Sequence, residues 1–577
     1  MKCRIAVFAA IAALCLSASP TLGLPAAIAP QDPTPHASSG HELLVHFDPA
    51  LSDANRQNLL AQAGLEIIRP LRFADSIYLV RSQTAADAAR LAQTHHLSQA
   101  SGVRSVEPNL SLARLPATAN AAPSVAGATE SPRDSLSADE LLYRAWHLDS
   151  TPYRGKLLPR TDIRAREAWE NGQRGKGVKV AVIDSTIQVD HPDLINRLDC
   201  RSEPLADALP GEACGWDFVG EDADTRLSPP EADTLRTTLS HSLCLSDRQL
   251  LDTYPLLVWE LSSLPEAEKA RLIRDRLQKQ VSSAFHGTWV AGLIAAQADQ
   301  GQGLMGVAPE ATLLPIRVFD LEGNTTTARL IEATGYAAAR GAEVVNLSFG
   351  SLVPSEVLVY HLLQVMAAYP NLVIVASAGN DSLDGAAFPA AIPGVVAVGA
   401  TTVEGQRAPY SQYGGQLDVV APGGSLQPTA SGGILTTGGT WAEGLWQRLP
   451  MPTQPWGYGL DPKGYYVRVQ GTSFASPIVA AVVALMKGED PHRQLNRDQL
   501  IEILKTTAGY EGLTLSEADR LHYQVQKALG FGTVLDFPYA RPSGLYPRPI
   551  AIDPEAYFFG AGLVDAARAV DEVRSRQ

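Results

Sequence analysis

Residues 471–485 contain Gly-Thr-Ser-Phe-Ala-Ser-Pro followed by Ile-Val-Ala-Ala-Val-Val-Ala-Leu, and this stretch defines the centre of the molecule. Its second half is apolar around the whole circumference of a helix, so the helix must be buried on every side. Pro477 fits the first turn of this helix, where its missing N–H costs nothing. Ser473 then lies beside unpaired backbone N–H groups at the positive end of the helix dipole. Taken alone, it could equally be a helix cap, because serine is a favoured cap residue.

Short apolar runs elsewhere in the chain predict the sheet that packs against this helix. Runs of this kind suit strands that are buried on both faces. Helical periodicity appears between them, at about 327–340 and 354–368. Strands that alternate with helices predict an α/β fold with a doubly wound, mostly parallel sheet. The predicted strands are residues 178–183, 311–317, 344–348, 372–377 and 395–400.

Two more reactive side chains stand at the ends of predicted elements. Asp184 directly follows the apolar run Val-Ala-Val-Ile, and His286 opens the segment His-Gly-Thr-Trp-Val-Ala-Gly. Taken alone, Asp184 is more simply explained as an aspartate that caps a loop. His286 alone is more simply explained as a structural histidine whose hydrogen bonds are made within the protein. A serine nucleophile needs both side-chain types, because an imidazole must take the hydroxyl proton and a carboxylate must fix the imidazole tautomer.

The three segments together resemble the subtilisin-like serine protease family, which has its reactive residues in the order Asp, His, Ser. The resemblance covers about residues 163–570, apart from several inserts. Six motifs in one order rarely coincide by chance. The three further matching segments are Leu347-Ser-Phe-Gly350, Val375-Ala-Ser-Ala-Gly-Asn-Asp381 and Phe559-Gly-Ala-Gly-Leu-Val-Asp-Ala566.

This resemblance implies a role for each reactive residue. Ser473 would be the nucleophile, His286 the general base and then acid, and Asp184 the group that orients and stabilises the imidazolium. Asn380 would donate its side-chain amide to the oxyanion, together with the backbone N–H of Ser473. The implied activity is that of a serine endopeptidase acting on proteins or peptides, without a cofactor for the chemistry.

The family resemblance also implies where substrate binds. Substrate would pair as an added strand with residues 348–350 and with the glycine-rich region after Gly323. The pocket walls are mostly small and apolar, which predicts a medium apolar side chain before the scissile bond. The residues assigned to substrate binding are Ser348, Phe349, Gly350, Ser377, Ala378 and Gly379, with 386–389 nearby.

The N-terminus has the layout of a signal peptide. Met-Lys-Cys-Arg precedes the twelve apolar residues 5–16, and the small and turn-forming Ser-Ala-Ser-Pro follows. Twelve residues at about 1.5 Å each cannot span a hydrocarbon core of about 30 Å, so we expect export and no membrane anchor. Cleavage could follow residue 18, 23 or 29, and we assign the signal peptide to 1–23. The exported product would be secreted or periplasmic.

A small separate domain, residues 41–112, is predicted between linkers at 24–40 and 113–139 that are rich in Pro, Ala and Ser. It resembles the inhibitory propeptide of the family, including the ending Val106-Glu-Pro-Asn109. A precursor is therefore implied, activated by removal of its own inhibitor through cleavage in or near the second linker. Strands at 41–47, 65–70, 76–81 and 103–106 and helices at 52–63 and 85–94 give the order β-α-β-β-α-β of a ferredoxin-like unit.

Bulk composition limits the remaining possibilities. With 577 residues the chain is too long for one ordinary core, and residues 140–577 are assigned to the catalytic domain. The 45% of hydrophobic and 19% of charged residues match a folded soluble protein. The formal net charge of −14 would repel a phosphate backbone, so we exclude nucleic-acid binding.

Three of the five cysteines remain after removal of a signal peptide. Cys200 and Cys214 flank a loop rich in Pro, Gly and charge, and an oxidising compartment favours a disulfide there. Cys244 would then be the odd thiol. The alternative is three buried thiols.

Several features depart from the family pattern. Inserts fall at about 222–283, 424–469 and 509–559, and the first of them ends directly before His286. Thr186 replaces a usual glycine, so either the local turn differs or the position never needed glycine. Trp289 replaces a usual second histidine, for which we expect altered packing rather than lost activity. Structural calcium is left open, with Asp193 and Gln300 at roughly matching positions.

Two rival functions follow from the same residues. The main alternative is a catalytically inactive subtilisin-like protein that acts as a binding or scaffold protein through its inserts. A lipase or esterase lacks support, because no Gly-x-Ser-x-Gly surrounds Ser473 and the order of the reactive residues is wrong for that fold.

Overall fold

The computed structural model describes residues 42–82, 95–113, 137–151, 159–201, 203–298, 301–440, 457–459, 464–528 and 553–577. Among these residues, none of the helices combines the length and apolar character needed to cross a bilayer. The predicted signal peptide, the first linker, most of the second linker and the predicted helix at 85–94 lie outside the described residues.

The N-terminal unit is a four-stranded antiparallel sheet with a helix on one face. All four predicted strands and the first predicted helix are present, and the sheet order is β2-β3-β1-β4. Leu43, Val45, Phe47, Leu60 and Val80 form part of its own small core. The elements are β1 (Glu42–Phe47), α1 (Asp53–Gln62), β2 (Leu65–Pro70), β3 (Ile77–Ser82), β4 (Val103–Pro108) and β5 (Ser111–Ala113).

Seven parallel strands form the central sheet of the second unit. All five strands predicted from the sequence are present, each with bounds within one residue. The strands of this part of the chain are β6 (Lys179–Asp184), β7 (Trp216–Asp217), β8 (Thr312–Arg317), β9 (Asn324–Thr326), β10 (Val344–Leu347), β11 (Val373–Ser377), β12 (Val395–Thr401) and β13 (Val419–Pro422). The sheet order is β13-β12-β11-β10-β6-β8-β7, and β9 instead pairs antiparallel with β5.

Helices cover both faces of this sheet, as the alternation of elements predicted. One face packs against the two helices that begin near His286 and Ser473. The opposite face packs against the two helices that precede β10 and β11. The helices outside the first insert are α2 (Ala138–Arg144), α3 (Ala165–Glu170), α8 (His286–Ala295), α9 (Thr327–Ala339), α10 (Glu356–Ala368), α11 (Thr472–Glu489), α12 (Arg497–Thr507), α13 (Glu517–Ala528), α14 (Pro554–Phe559) and α15 (Ala566–Ser575).

The first insert is helical, in agreement with its predicted periodicity. It contains α4 (Pro229–Cys244), α5 (Asp247–Thr253), α6 (Pro255–Glu260) and α7 (Glu266–Ser283). Leu250, Ala270, Ile273 and Leu277 form a separate small core inside it. Since α7 ends shortly before α8 begins, this insert leads directly into His286.

The second insert contributes a small antiparallel sheet of β14 (Ile434–Thr437), β15 (Gly457–Gly459) and β16 (Tyr466–Val469). Cys200 and Cys214, in the segment between β6 and β7, form the predicted disulfide.

One local prediction was wrong. Pro477 does not occupy the first turn of its helix but lies inside it, because α11 already begins at Thr472. Residues 472–475 are compatible with either a loop or a helix, so no local signal marks the earlier start. Ser473 is therefore the second residue of α11.

Candidate active site

The reactive residues lie where neighbouring parallel strands end. Strand β10 is hydrogen-bonded to β6 on one side and to β11 on the other. The carboxyl ends of parallel strands share one edge of a sheet, which is where such folds place ligands. Asp184 is the last residue of β6, Ser348 directly follows β10, and Asn380 comes three residues after β11.

Asp184 and His286 are in direct contact. The Asp184 side chain is completely buried, and its two carboxylate oxygens lie 2.9 and 3.0 Å from Nδ1 of His286. The backbone N–H of Ser185 also donates to this carboxylate, at 2.7 Å. A carboxylate can only accept, so Nδ1 carries the proton and Nε2 carries the lone pair that a base needs.

Gly287 allows this contact. A Cβ atom there would lie 2.8 Å from the carbonyl oxygens of Ser185 and Thr186, which real Cβ atoms do not approach. Glycine therefore lets the start of α8 pack directly on the loop that follows Asp184. Thr186 is not among the residues with a positive φ, so this position does not need the glycine that is usual in the family.

Ser473 lies on the first turn of α11, beside His286. Its helix is capped by Gly471, whose φ of 146° favours glycine. The Oγ atom of Ser473 donates to the carbonyl of Ser348 at 3.1 Å. The ring of the next residue, Phe474, lies 5.1 Å from the His286 ring. The backbone N–H of Ser473 has no acceptor within the helix, because it belongs to the first turn.

Asn380 has a defined orientation. Both the backbone N–H and the hydroxyl of Thr472 donate to its Oδ1, each at 2.9 Å. The backbone N–H can only donate, so the assignment of Oδ1 and Nδ2 follows from chemistry. Gly379 precedes it with a φ of 117°, and a Cβ there would collide with the side chain of Gln412. The donor side of the Asn380 amide is thus fixed beside the start of α11.

The residues assigned to substrate binding occupy two adjacent turns at the same edge. Ser348 and Ala378 are fully buried, Ser377 is nearly so, and Phe349 and Gly350 line an apolar groove. The hydroxyl of Ser348 has its hydrogen-bond partners inside the protein.

Sequence reasoning missed most of that groove. Its apolar walls come from α9, α10 and the loops that follow β8, β10 and β11, and Leu112 of β5 also lines it. No local motif marks these residues, since only the fold brings them together. Its large apolar residues include Phe319, Leu330, Phe349, Leu358 and Phe388.

Trp289, which stands where the family usually has a second histidine, packs beside His286. It is buried, and its ring centre lies 6.2 Å from the rings of both His286 and Phe474.

Asp193 is buried, and Gln300 lies outside the described residues. Burial raises the pKa of the Asp193 carboxyl to about 6, and Oδ2 accepts from the Leu304 N–H at 2.8 Å. Calcium takes six to eight oxygen ligands, and within the described chain no three Asp, Glu, His or Cys side chains gather as a metal site. Calcium binding remains a prediction.

Curated relatives match about two fifths of this chain. The cell wall-associated protease of Bacillus subtilis (strain 168) is 34% identical over 223 residues, 39% of this chain and 21% of that protein. The M-protease of Shouchella clausii (strain KSM-K16) is 33% identical over 223 residues, which cover 49% of that protein. The chain thus spans about a fifth of the length of the first relative and about half of the length of the second. Subtilisin BL of Lederbergia lenta is 33% identical over 229 residues, 40% of this chain and 72% of that protein.

Solved structures support the fold alone. Fervidolysin from Fervidobacterium pennivorans, described as a keratinolytic enzyme related to subtilisin, superimposes with a TM-score of 0.54 at 19% identity. That alignment covers 92% of this chain and 61% of fervidolysin.

The profile of the subtilase family, peptidase S8, matches residues 175–532, which is more than half of the chain. This chain therefore belongs to the subtilase family.

Proposed function

We propose that the protein is an exported serine endopeptidase that cleaves peptide bonds through an acyl-enzyme on Ser473. The observation that carries the proposal is the buried contact between Asp184 and Nδ1 of His286, placed beside the start of α11. Family membership and the orientation of Asn380 support it.

Each residue has a defined step in this reaction. The hydroxyl of Ser473 turns from the Ser348 carbonyl and gives its proton to Nε2 of His286, while Oγ attacks the substrate carbonyl carbon. The oxyanion accepts from Nδ2 of Asn380 and from the backbone N–H of Ser473. The imidazolium, stabilised by Asp184, then protonates the leaving amine. Water, activated by the same imidazole, hydrolyses the acyl-enzyme and restores the serine.

The N-terminal domain would act as an inhibitory propeptide. Its strand β5 pairs with β9, placing Leu112 in the apolar groove. The Glu107 carboxylate accepts from the Glu356 N–H at 2.9 Å, at the start of α10. Asn109 Oδ1 likewise accepts from the Ala328 N–H at 3.0 Å, at the start of α9. Anions and carbonyl oxygens at helix N-termini are favourable contacts, so these pairs support docking of the domain.

The same groove supports a preference for apolar substrates. Its walls are aromatic and aliphatic, with Leu112 among them, and none of its lining residues is charged. We expect peptides with a medium apolar side chain before the scissile bond to be cleaved with the highest kcat/KM. A peptide panel that varies only this position measures the preference, and best cleavage after Arg or Glu would contradict it.

Labelling with a fluorophosphonate tests the proposed function directly. The wild-type protein should be labelled and should degrade casein, whereas Ser473→Ala should do neither. Asp184→Asn should be labelled at least about 10³-fold more slowly, because the imidazole loses its required tautomer. Absence of labelling in the wild-type protein after removal of the N-terminal domain would instead favour the inactive binding protein.

A further inference from the structure

A buried polar cluster lies directly behind the nucleophile. It consists of Asn346 and Ser348 at the end of β10 and Ser476 on α11, and none of the three side chains is exposed. Buried polar groups are expensive unless they are hydrogen-bonded, so a cluster at this place needs a physical reason.

The reason is a missing donor in α11. In a helix, the carbonyl of Ser473 would accept from the N–H of residue 477, four positions later. Residue 477 is proline, which has no N–H, and it lies inside the helix rather than in its first turn. The Oγ atom of Ser348 lies 2.8 Å from the Ser473 carbonyl oxygen and takes the place of that donor.

The protons of the two hydroxyl groups can be assigned from their hydrogen-bond partners. A carbonyl can only accept, so the single proton of the Ser348 hydroxyl points to Ser473. The hydroxyl of Ser476, 3.0 Å away, must therefore donate to Ser348. Nδ2 of Asn346 donates to the same oxygen at 2.8 Å. One donated and two accepted hydrogen bonds use the whole capacity of the Ser348 hydroxyl, which leaves none for substrate.

Ser348 contacts the nucleophile a second time through its backbone. Its carbonyl accepts from Oγ of Ser473 at 3.1 Å, so both the main chain and the side chain of Ser473 are held by the residue that directly follows β10. This double contact joins the first turn of α11 to the edge of the central sheet. The same turn carries the reactive hydroxyl and the N–H that would bind the oxyanion.

We propose that Ser348 is a positioning residue, whose hydroxyl replaces the hydrogen bond that Pro477 cannot make and so fixes the first turn of α11 for attack. This inference rests on the proposed peptidase function. It assigns the Ser348 side chain to the nucleophile rather than to the wall of the substrate pocket. Ser348→Ala should leave the Ser473 carbonyl buried without its donor, and the turn should shift or loosen.

A double-mutant cycle tests this role. With the N-terminal domain removed by an added protease in wild type and variants alike, Ser348→Ala should lower kcat about 10- to 100-fold, because small displacements of a nucleophile have effects of this size. KM should change less than about twofold, since no substrate contact is removed. Pro477→Ala supplies the missing N–H, so in the double variant kcat should return to within about threefold of that of Pro477→Ala alone.

The control is Ser242→Ala in α4. Ser242 is a buried serine whose hydroxyl donates to the carbonyl of Leu239 at 2.8 Å, within the first insert. Its loss should lower the melting temperature but leave kcat unchanged, which separates positioning from general stability. If Ser348→Ala fails to accumulate, the double variant should restore accumulation.

Two results would overturn the proposal: a kcat for Ser348→Ala within about twofold of wild type, or a defect that persists fully when Pro477→Ala is added. Wild-type activity and the inactivity of Ser473→Ala are measured first. Failure of the peptidase function is therefore distinguished from failure of this inference.

Discussion

The side-chain amide of Asn380 has a fixed orientation, which leaves its Nδ2 as a hydrogen-bond donor. Its Oδ1 is held by Thr472, and its Nδ2 is the donor that would bind the oxyanion. Asn380→Ala should lower kcat about 10²–10³-fold with little change in KM, a magnitude taken from subtilisin rather than derived from this structure. Steady-state kinetics on a peptide substrate measure it.

Thr472→Ala provides the matched comparison for this prediction. It removes the hydroxyl that donates to Oδ1 but keeps the backbone N–H, so the amide should stay oriented and kcat should fall much less. Equal losses for the two variants would show that Asn380 acts through the structure of the turn and not as a donor to the oxyanion.

The elements that could be predicted from the sequence are those with strong hydrophobic patterns. Buried strands such as Val344–Leu347 are mostly apolar runs, and their ends are marked by polar residues. The start of α11 could not be predicted, because a proline normally signals a first turn. The hydroxyl that compensates for the proline belongs to Ser348, 125 positions before Ser473. Long-range partners of this kind leave no local signal.

The candidate site likewise contains residues that could be predicted from the sequence and residues that could not. Asp184, His286, Ser473 and Asn380 each follow or open a regular element, and local motifs carry them. Leu330 and Leu358 have no motif, since they line the groove only because α9 and α10 pack side by side under β5. Motifs indicate chemistry, whereas the groove proposed to select substrate depends on packing.

Lys487, near the end of α11, gives this helix a pH-dependent stability. Its side chain is 1% exposed and donates to the carbonyl of Asn371, and burial lowers its pKa to about 8. Between pH 8 and about 10.4, the unfolded chain binds more protons than the folded protein, so the free energy of unfolding rises with pH. Below this range the cost of burying the charge, on the order of 3 kcal/mol, is fully present.

Lys487→Met should remove most of that rise. Urea unfolding of the Ser473→Ala protein at about pH 7.5 and 10.5, on either side of the titration, measures it and avoids self-digestion. Lys505→Met is the control, because Lys505 is a partly exposed lysine in an ion pair with Asp418, and its removal should leave most of the rise in place. An identical rise with and without the Lys487→Met substitution would contradict the prediction, whatever the absolute stabilities of the two proteins.

At the scale of the whole molecule, the N-terminal domain is held at a second place far along the chain from β5. The turn between β2 and β3 places the carbonyl of Phe73 directly against Gly335 of α9, where any Cβ atom would overlap it. Arg340 lies over the Phe73 ring, 5.1 Å from its centre. This contact depends on neither the groove nor the active site, so it can retain the domain after the linker is cut.

Glu332 is the charged centre of this second contact. Its side chain is fully buried, Arg69 binds its carboxylate through both Nη atoms, and the backbone N–H of Arg72 donates to Oε1 at 2.8 Å. Arg69 and Arg72 each keep about a third of their side chain exposed, so loss of the Glu332 charge weakens their charge-assisted hydrogen bonds rather than leaving a fully buried charge. Glu332→Gln should therefore release the N-terminal domain at least about tenfold faster than wild type once the linker has been cleaved.

The full-length protein allows a direct measurement. An added protease is used to cut the predicted linker at 113–139, and under the proposed inhibition the recovery of peptidase activity then reports the rate at which the domain dissociates. Because Glu332 lies on the surface that the domain covers and touches none of the four reactive residues, the final activity should equal that of wild type. Glu404→Gln, at an exposed position, is the control and should leave the rate unchanged. Equal recovery rates for Glu332→Gln and wild type would mean that the contacts of β4 and β5 alone retain the domain.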